Sequence, residues 1–95
     1  MIKDKTTGKT KKAPVADEID LHRLTVDEAV PVIEEFLYKA YQAGLTRVWI
    51  VHGKGTGVLK QEVQRYLAKH SLVLAQRTAN SDRGGVGATQ VDLRD

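Results

Sequence analysis

Twice in this chain a segment with strand character runs out into a polar corner, and a segment with helical periodicity begins at once. The corners are Asp20-Leu21-His22 and His52-Gly53-Lys54-Gly55-Thr56-Gly57. A repeated strand–corner–helix pattern commits a short chain to an α/β arrangement. The helix between the strands carries the chain back, so the strands run parallel. In an open α/β sheet, ligands bind at the carboxyl ends of such strands.

Glu18 to His22 alternates, with Ile19 and Leu21 on one side and Asp20 and His22 on the other, as in a short strand. Thr25-Val26-Asp27-Glu28 spells a capping box. The helix it opens carries Val26, Ala29, Val30, Ile33, Phe36, Leu37, Ala40 and Tyr41 on one stripe, and Gly44 is placed to end it. Pro31, past the first turn, removes one backbone bond and predicts a bend there. Arg47 to Val51 is apolar without alternation, the pattern of a strand covered on both faces. After the glycine corner, Val58, Leu59, Val63, Tyr66 and Leu67 mark a second amphipathic helix, with Lys60, Gln61, Gln64 and Arg65 turned away from the stripe. Leu72–Thr78 and Ala88–Arg94 follow as a third and a fourth strand, joined by a long flexible turn over Ser81–Gly87. The expected fold is an α/β two-layer sandwich of order β-α-β-α-β-β, a mixed four-stranded sheet with two helices. Its first crossover is right-handed and its last two strands form an antiparallel hairpin.

Ninety-five residues make one domain near the lower end of what buries its own core, and 41% apolar content makes it globular. Absence of cysteine excludes a disulfide framework and a thiolate zinc site. No apolar run approaches the roughly 20 residues of a membrane span, and no secretion signal precedes the domain, so the default location is cytoplasmic with no membrane partner. The net charge of +3 is unevenly placed: residues 1–12 hold five lysines against Asp4. Residues 1–16 lack apolar periodicity and are expected to form a flexible basic arm or linker, with the domain proper over 17–95. Within the domain, residues 13–46 are acidic. Residues 47–83 set Arg47, Lys54, Lys60, Arg65, Lys69, Arg77 and Arg83 against Glu62 and Asp82, a polarity that suits a surface facing phosphates.

The two corners supply chemistry. With their strands as neighbours, one carboxylate, two imidazoles, a lysine and a run of backbone amides face one crevice, a set suited to cutting a phosphodiester bond. Asp20 and His22 lie two apart and leave the same side of a strand; His52 is the second imidazole. A histidine exchanges protons near neutral pH or holds a phosphate. The glycine corner matches neither the Walker pattern nor the dinucleotide fingerprint. Even so, Gly53, Gly55 and Gly57 are more glycines than a tight turn needs. They let an anion approach backbone amides at a helix N-terminus, with Lys54 adding charge and Thr56 between them. Lys60, Arg65 and, from the late turn, Arg83 extend the expected phosphate-binding face. Trp49 fits the core better than a stacking platform, and Tyr38 is a weaker candidate for stacking. One carboxylate with two histidines is a conceivable divalent-metal site, but has fewer carboxylates than two-metal nucleases use.

These residues resemble a family. Residues 18–95 are similar to the Small MutS-related (Smr) domain. The similarity rests on Ile19-Asp20-Leu21-His22 with Thr25–Ala29, on Val51–Leu59, and on Gly84-Gly85-Val86-Gly87-Ala88-Thr89-Gln90-Val91. Arg23 stands where many members carry glycine. The resemblance implies a sandwich like the C-terminal domain of translation initiation factor three, and nicking endonuclease activity on DNA, or on RNA in some members. It carries the D-x-H motif onto Asp20 and His22, and the H-G-x-G-x-G motif onto His52, Gly53, Gly55 and Gly57. It also implies a place at the C-terminus of a MutS-like ATPase dimer linked to suppression of recombination or to ribosome rescue, a free-standing Smr protein being the alternative. The competing function is a module that binds DNA, RNA or ribosome without cutting. Binding of small nucleotides ranks third, since both nucleotide fingerprints fail.

Overall fold

The computed structural model describes residues 15–95; the expected basic arm lies, up to residue 14, outside the described residues. The chain runs β1 (Glu18–Asp20), α1 (Val26–Gln42), β2 (Arg47–Val51), α2 (Val58–Ala68), β3 (Val73–Thr78), two short 3-10 turns (Ser81–Arg83 and Gly85–Gly87), and β4 (Ala88–Leu93). The architecture is α/β, two helices on a mixed four-stranded sheet of order β1-β2-β4-β3. β1 and β2 pair in parallel, Ile19 opposite Ile50, and β4 is antiparallel to both β2 and β3. The late connection folds into two 3-10 turns rather than an open loop.

Both ends of α1 are closed by the residues that announce them. The Glu28 amide donates to Thr25 Oγ1 at 3.2 Å and the Thr25 amide to Glu28 Oε1 at 3.0 Å. At the other end Leu45 N bonds Ala40 O and Gly44 N bonds Tyr41 O, both at 3.0 Å, with Gly44 at φ +81°. This is the Schellman arrangement, and Leu45 packs against the core as that motif requires. Pro31 is carried inside the helix.

Val48, Ile50, Val91 and Leu93 from the sheet meet Ala29, Ile33, Phe36, Leu37 and Ala40 of α1 and Val63 and Leu67 of α2 in one buried cluster. Truncating a fully buried member such as Leu37 to Ala would cost about 2–5 kcal/mol. Tyr41 and Val58, expected on the helical stripes, are 39% and 57% exposed. Val58 lies five residues before Val63, so on a helix it stands about 140° from it.

The two faces of β2 are not covered alike. Val48 and Ile50 are fully buried under the helices, while Trp49 is half-buried and outside the core cluster. Glu18, Trp49, Gln90 and Arg77 stand in register across the face opposite the helices. That face is covered at Trp49 by Arg83, whose guanidinium carbon lies 3.5 Å from the ring centroid. The unbroken apolar run of β2 therefore reflects one helical layer plus one stacked arginine, not two layers.

Candidate active site

The parallel pairing of β1 with β2 brings both corners to one end of the sheet, beside the N-terminus of α2. A cleft of about 330 Å³ opens there, lined by His22, Leu24, His52, Gly53, Lys54, Gly55, Thr56, Gly57, Leu59 and Lys60. Its electrostatics follow from how α2 begins. The N-cap is Gly57 at φ +86°, which has no side chain to cap the first amides, and the first turn has no acidic residue. Thr56 Oγ1 reaches only Val58 N, at 3.4 Å. The helix α1 instead has a capping box and Asp27 and Glu28 in its first turn. One helix start is closed; the other offers its amides and positive dipole end to the cleft, with Lys54 and Lys60 beside them.

On another wall Asp20, the last residue of β1, and His22, two residues on, form a dyad. His22 Nδ1 lies 2.6 Å from Asp20 Oδ1, and the His22 amide donates to the same oxygen at 3.0 Å. An ionised carboxylate only accepts, so the ring proton sits on Nδ1 and Nε2 is the basic nitrogen. The backbone amide of His22 first, then its ring, hold the Asp20 carboxyl below its ordinary range, with a smaller contribution from the Arg23 charge. Gly53 lets this wall approach the loop: a Cβ there would stand 3.1 Å from His22 Cβ, and its φ is +82°.

His52 occupies a different environment. It is 4% exposed, with Nδ1 3.0 Å from the Gly53 carbonyl and Nε2 2.8 Å from Thr89 Oγ1 of β4. Burial, with the nearby Lys60 charge in a lesser part, depresses its pKa and favours the neutral ring. Both ring nitrogens are engaged inside the protein. The backbone here is also tied to the late connection, since the amides of His52 and Gly53 both donate to the Gly87 carbonyl at 2.9 Å.

The structure thus gathers His22, His52, Gly53, Lys54, Gly55, Thr56, Gly57 and Lys60 at one cleft and joins Asp20 to it through His22. Two expected members lie elsewhere. Arg65 pairs with Glu62 at 3.2 Å and is not on the cleft, because five residues along a helix turn it about 140° from Lys60. Arg83 faces the other side of the sheet, stacked on Trp49 and 3.6 and 3.8 Å from carboxylates of Asp17 and Glu18. Leu24, Leu59, Gly87 and Thr89 belong to the site's walls or supports, although nothing in their local sequence chemistry marks them. Among the described residues no group of three or more His, Cys, Asp or Glu side chains is arranged to hold a metal ion. No helix among them is long and apolar enough to cross a membrane.

Similarity to known proteins agrees with this fold. The chain is 42% identical over 83 residues to Endonuclease MutS2 of Pelotomaculum thermopropionicum, covering 87% of the chain and 11% of that protein. Against Endonuclease MutS2 of Clostridium acetobutylicum it is 44% identical over 80 residues, 84% of the chain and 10% of that protein. It therefore spans about a tenth of the length of these relatives. The crystal structure of the Smr domain of Thermus thermophilus MutS2 superposes with a TM-score of 0.80 at 38% identity, covering 84% of this chain and all of that one. YdaL, a stand-alone small MutS-related protein of Escherichia coli, does so with 0.81 at 33% identity, over 88% of this chain and 69% of that one. The family model for the Smr domain matches residues 19–94, and the chain belongs to that family.

Proposed function

We propose that this domain cuts phosphodiester bonds of nucleic acid. The observation that carries the reading is the Asp20–His22 dyad opening on a cleft floored by uncapped backbone amides and two lysines. The scissile phosphate lies on the amides around Gly55 and Gly57, with Lys54 against the charge that builds up as the bond breaks. His22 Nε2 takes the proton from an attacking water, whose oxygen bonds to phosphorus as the P–O bond to the leaving sugar oxygen breaks. The leaving oxygen takes a proton from solvent, and Asp20 holds the ring in the tautomer that leaves Nε2 free. His52, buried and doubly bonded, positions the loop rather than exchanging protons with substrate. The names of the MutS2 relatives support the nuclease reading. We further propose that the domain serves a MutS-like ATPase in the cytoplasm, in suppression of recombination or ribosome rescue, as the family resemblance implies.

The test is nicking of supercoiled plasmid and cleavage of RNA by the purified protein, with and without chelator. His22→Ala and Asp20→Asn should abolish or strongly slow cutting while leaving the fold intact. Cutting at the wild-type rate by His22→Ala would remove this assignment. Salt-sensitive binding without turnover would establish the domain as a binding module instead. A chelator-sensitive rate would add a divalent ion to the scheme.

A further inference from the structure

Thr89 lies on the inner strand β4, fully buried, 37 residues from the histidine it touches. The Gly53 carbonyl can only accept, so His52 Nδ1 at 3.0 Å must carry the ring proton. In the neutral ring Nε2 is then an acceptor, and the Thr89 hydroxyl at 2.8 Å is its donor. A trans peptide points its N–H opposite to its C=O, and the described residues contain no cis bond. With the Gly53 carbonyl drawn in toward His52, the Lys54 amide is turned away from the core on the loop that floors the cleft. That amide has no hydrogen-bond partner among the described residues.

We propose that Thr89 is a positioning residue of the cleft: its hydroxyl donates to Nε2 and anchors the His52 ring, so that Nδ1–H keeps its bond to the Gly53 carbonyl and the Lys54 amide is presented to a bound phosphate. The inference rests on the phosphate-binding reading of the cleft, though not on any cleavage step. It explains why a histidine at the mouth of a site is buried with both nitrogens satisfied inward. It also gives β4, which contributes no residue to the cleft lining, a defined part in the site. Desolvation of the ring keeps it neutral, so Nε2 stays an acceptor for the hydroxyl.

The experiment is nitrogen-15 NMR of the histidine rings with an inorganic phosphate titration, on wild type, Thr89→Val and Thr89→Ser. Wild-type His52 should be protonated on Nδ1 alone, and phosphate should shift the Lys54 amide. Thr89→Val keeps the side-chain volume but withdraws the donor. It should move the His52 Nε2 resonance away from that of a hydrogen-bonded acceptor, loosen the Nδ1–H bond to the Gly53 carbonyl, and weaken phosphate binding about tenfold, the loss of one hydrogen bond to a charged group. Thr89→Ser should restore all three, which a purely steric role for Thr89 would not predict. Wild-type His52 protonated on Nε2 overturns the proposal without any variant, and so does Thr89→Val with unchanged His52 ring-nitrogen shifts and phosphate affinity. If wild type binds phosphate through the Lys54 amide yet cuts no nucleic acid, the nuclease reading fails and the role of Thr89 stands.

Discussion

Gly53 and His22 approach so closely that a Cβ on the glycine would stand 3.1 Å from the histidine Cβ. The contact joins the two corners of the sheet, because Gly53 follows β2 and His22 follows β1. The distance between the His22 imidazole and the amide loop is therefore limited by the absence of one side chain.

Replacing Gly53 by Ala should damage the site more than the fold. The left-handed φ of +82° costs about 1–2 kcal/mol for an alanine, and the new methyl pushes on His22. Gly55 differs: an added Cβ there meets nothing within 4 Å, and its φ is not left-handed. Gly55→Ala should unfold at nearly the wild-type temperature. Gly53→Ala should melt lower and lose most of its cleavage; thermal unfolding and plasmid nicking on both variants check this. Equal effects would mean that the loop's glycines act only by flexibility.

The positions of Lys60 and Arg65 separate a charge on the cleft from a charge on the outer surface. Lys60 lines the cleft, whereas Arg65 is exposed and paired with Glu62. Lys60→Ala should weaken nucleic-acid binding about equally for all sequences and lower the salt slope by about 1. Arg65→Ala should change neither. Lys54→Ala should reduce the cleavage rate more than affinity, because its charge matters most where charge develops. Binding isotherms at several salt concentrations beside single-turnover rates resolve the three variants.

Features with local causes were legible in the sequence. The Thr25–Glu28 box and Gly44 mark the ends of α1 because capping depends on residues within one turn. The two corners could be placed at strand ends because apolar runs and glycines delimit them. What stayed hidden depends on pairing at long range. His52 reads as a free imidazole until the register of β4 sets Thr89 against it. The side of the sheet to which the Ser81–Gly87 connection folds has no local signal, so Arg83 was expected near phosphate rather than on Trp49. The divergence of Lys60 and Arg65 was legible, since helix geometry alone separates them.

Arg83 should therefore affect stability and not substrate binding. Its guanidinium covers Trp49, and its ion pairs with Asp17 and Glu18 are too long for hydrogen bonds. Stacking contributes about 0.5–2 kcal/mol and exposed ion pairs up to about 1. Against this stand two buried guanidinium nitrogens, Nε and Nη2, without hydrogen-bond partners among the described residues. Arg83→Ala should lower unfolding stability by about 1 kcal/mol in a denaturant titration, with the salt slope of binding unchanged. A fall in that slope would return Arg83 to the phosphate-binding surface.

The pH dependence of stability should show losses on both flanks, with assignable causes. His52 is held neutral in the fold, so the unfolded chain takes the proton first, and stability begins to fall as pH drops below about 6.5. The carboxyls of Asp20 and Glu34 are depressed in the fold. Their contribution is present above about pH 4 and lost as they are protonated. On the alkaline side the cause is Tyr66, pushed up to about 12 by burial and then by its hydrogen bond to Glu34 across the two helices. The folded protein keeps that proton after the unfolded chain has lost it near pH 10, so stability should fall as pH rises from 10 toward 12. Tyr66→Phe isolates the tyrosine's part. That variant should lose the tyrosine's share of the alkaline slope and keep the acid loss due to His52. Denaturant titrations from pH 4 to pH 11.5 give both limbs. An alkaline limb identical in wild type and Tyr66→Phe would show that the Tyr66–Glu34 bond does not couple the helices in solution.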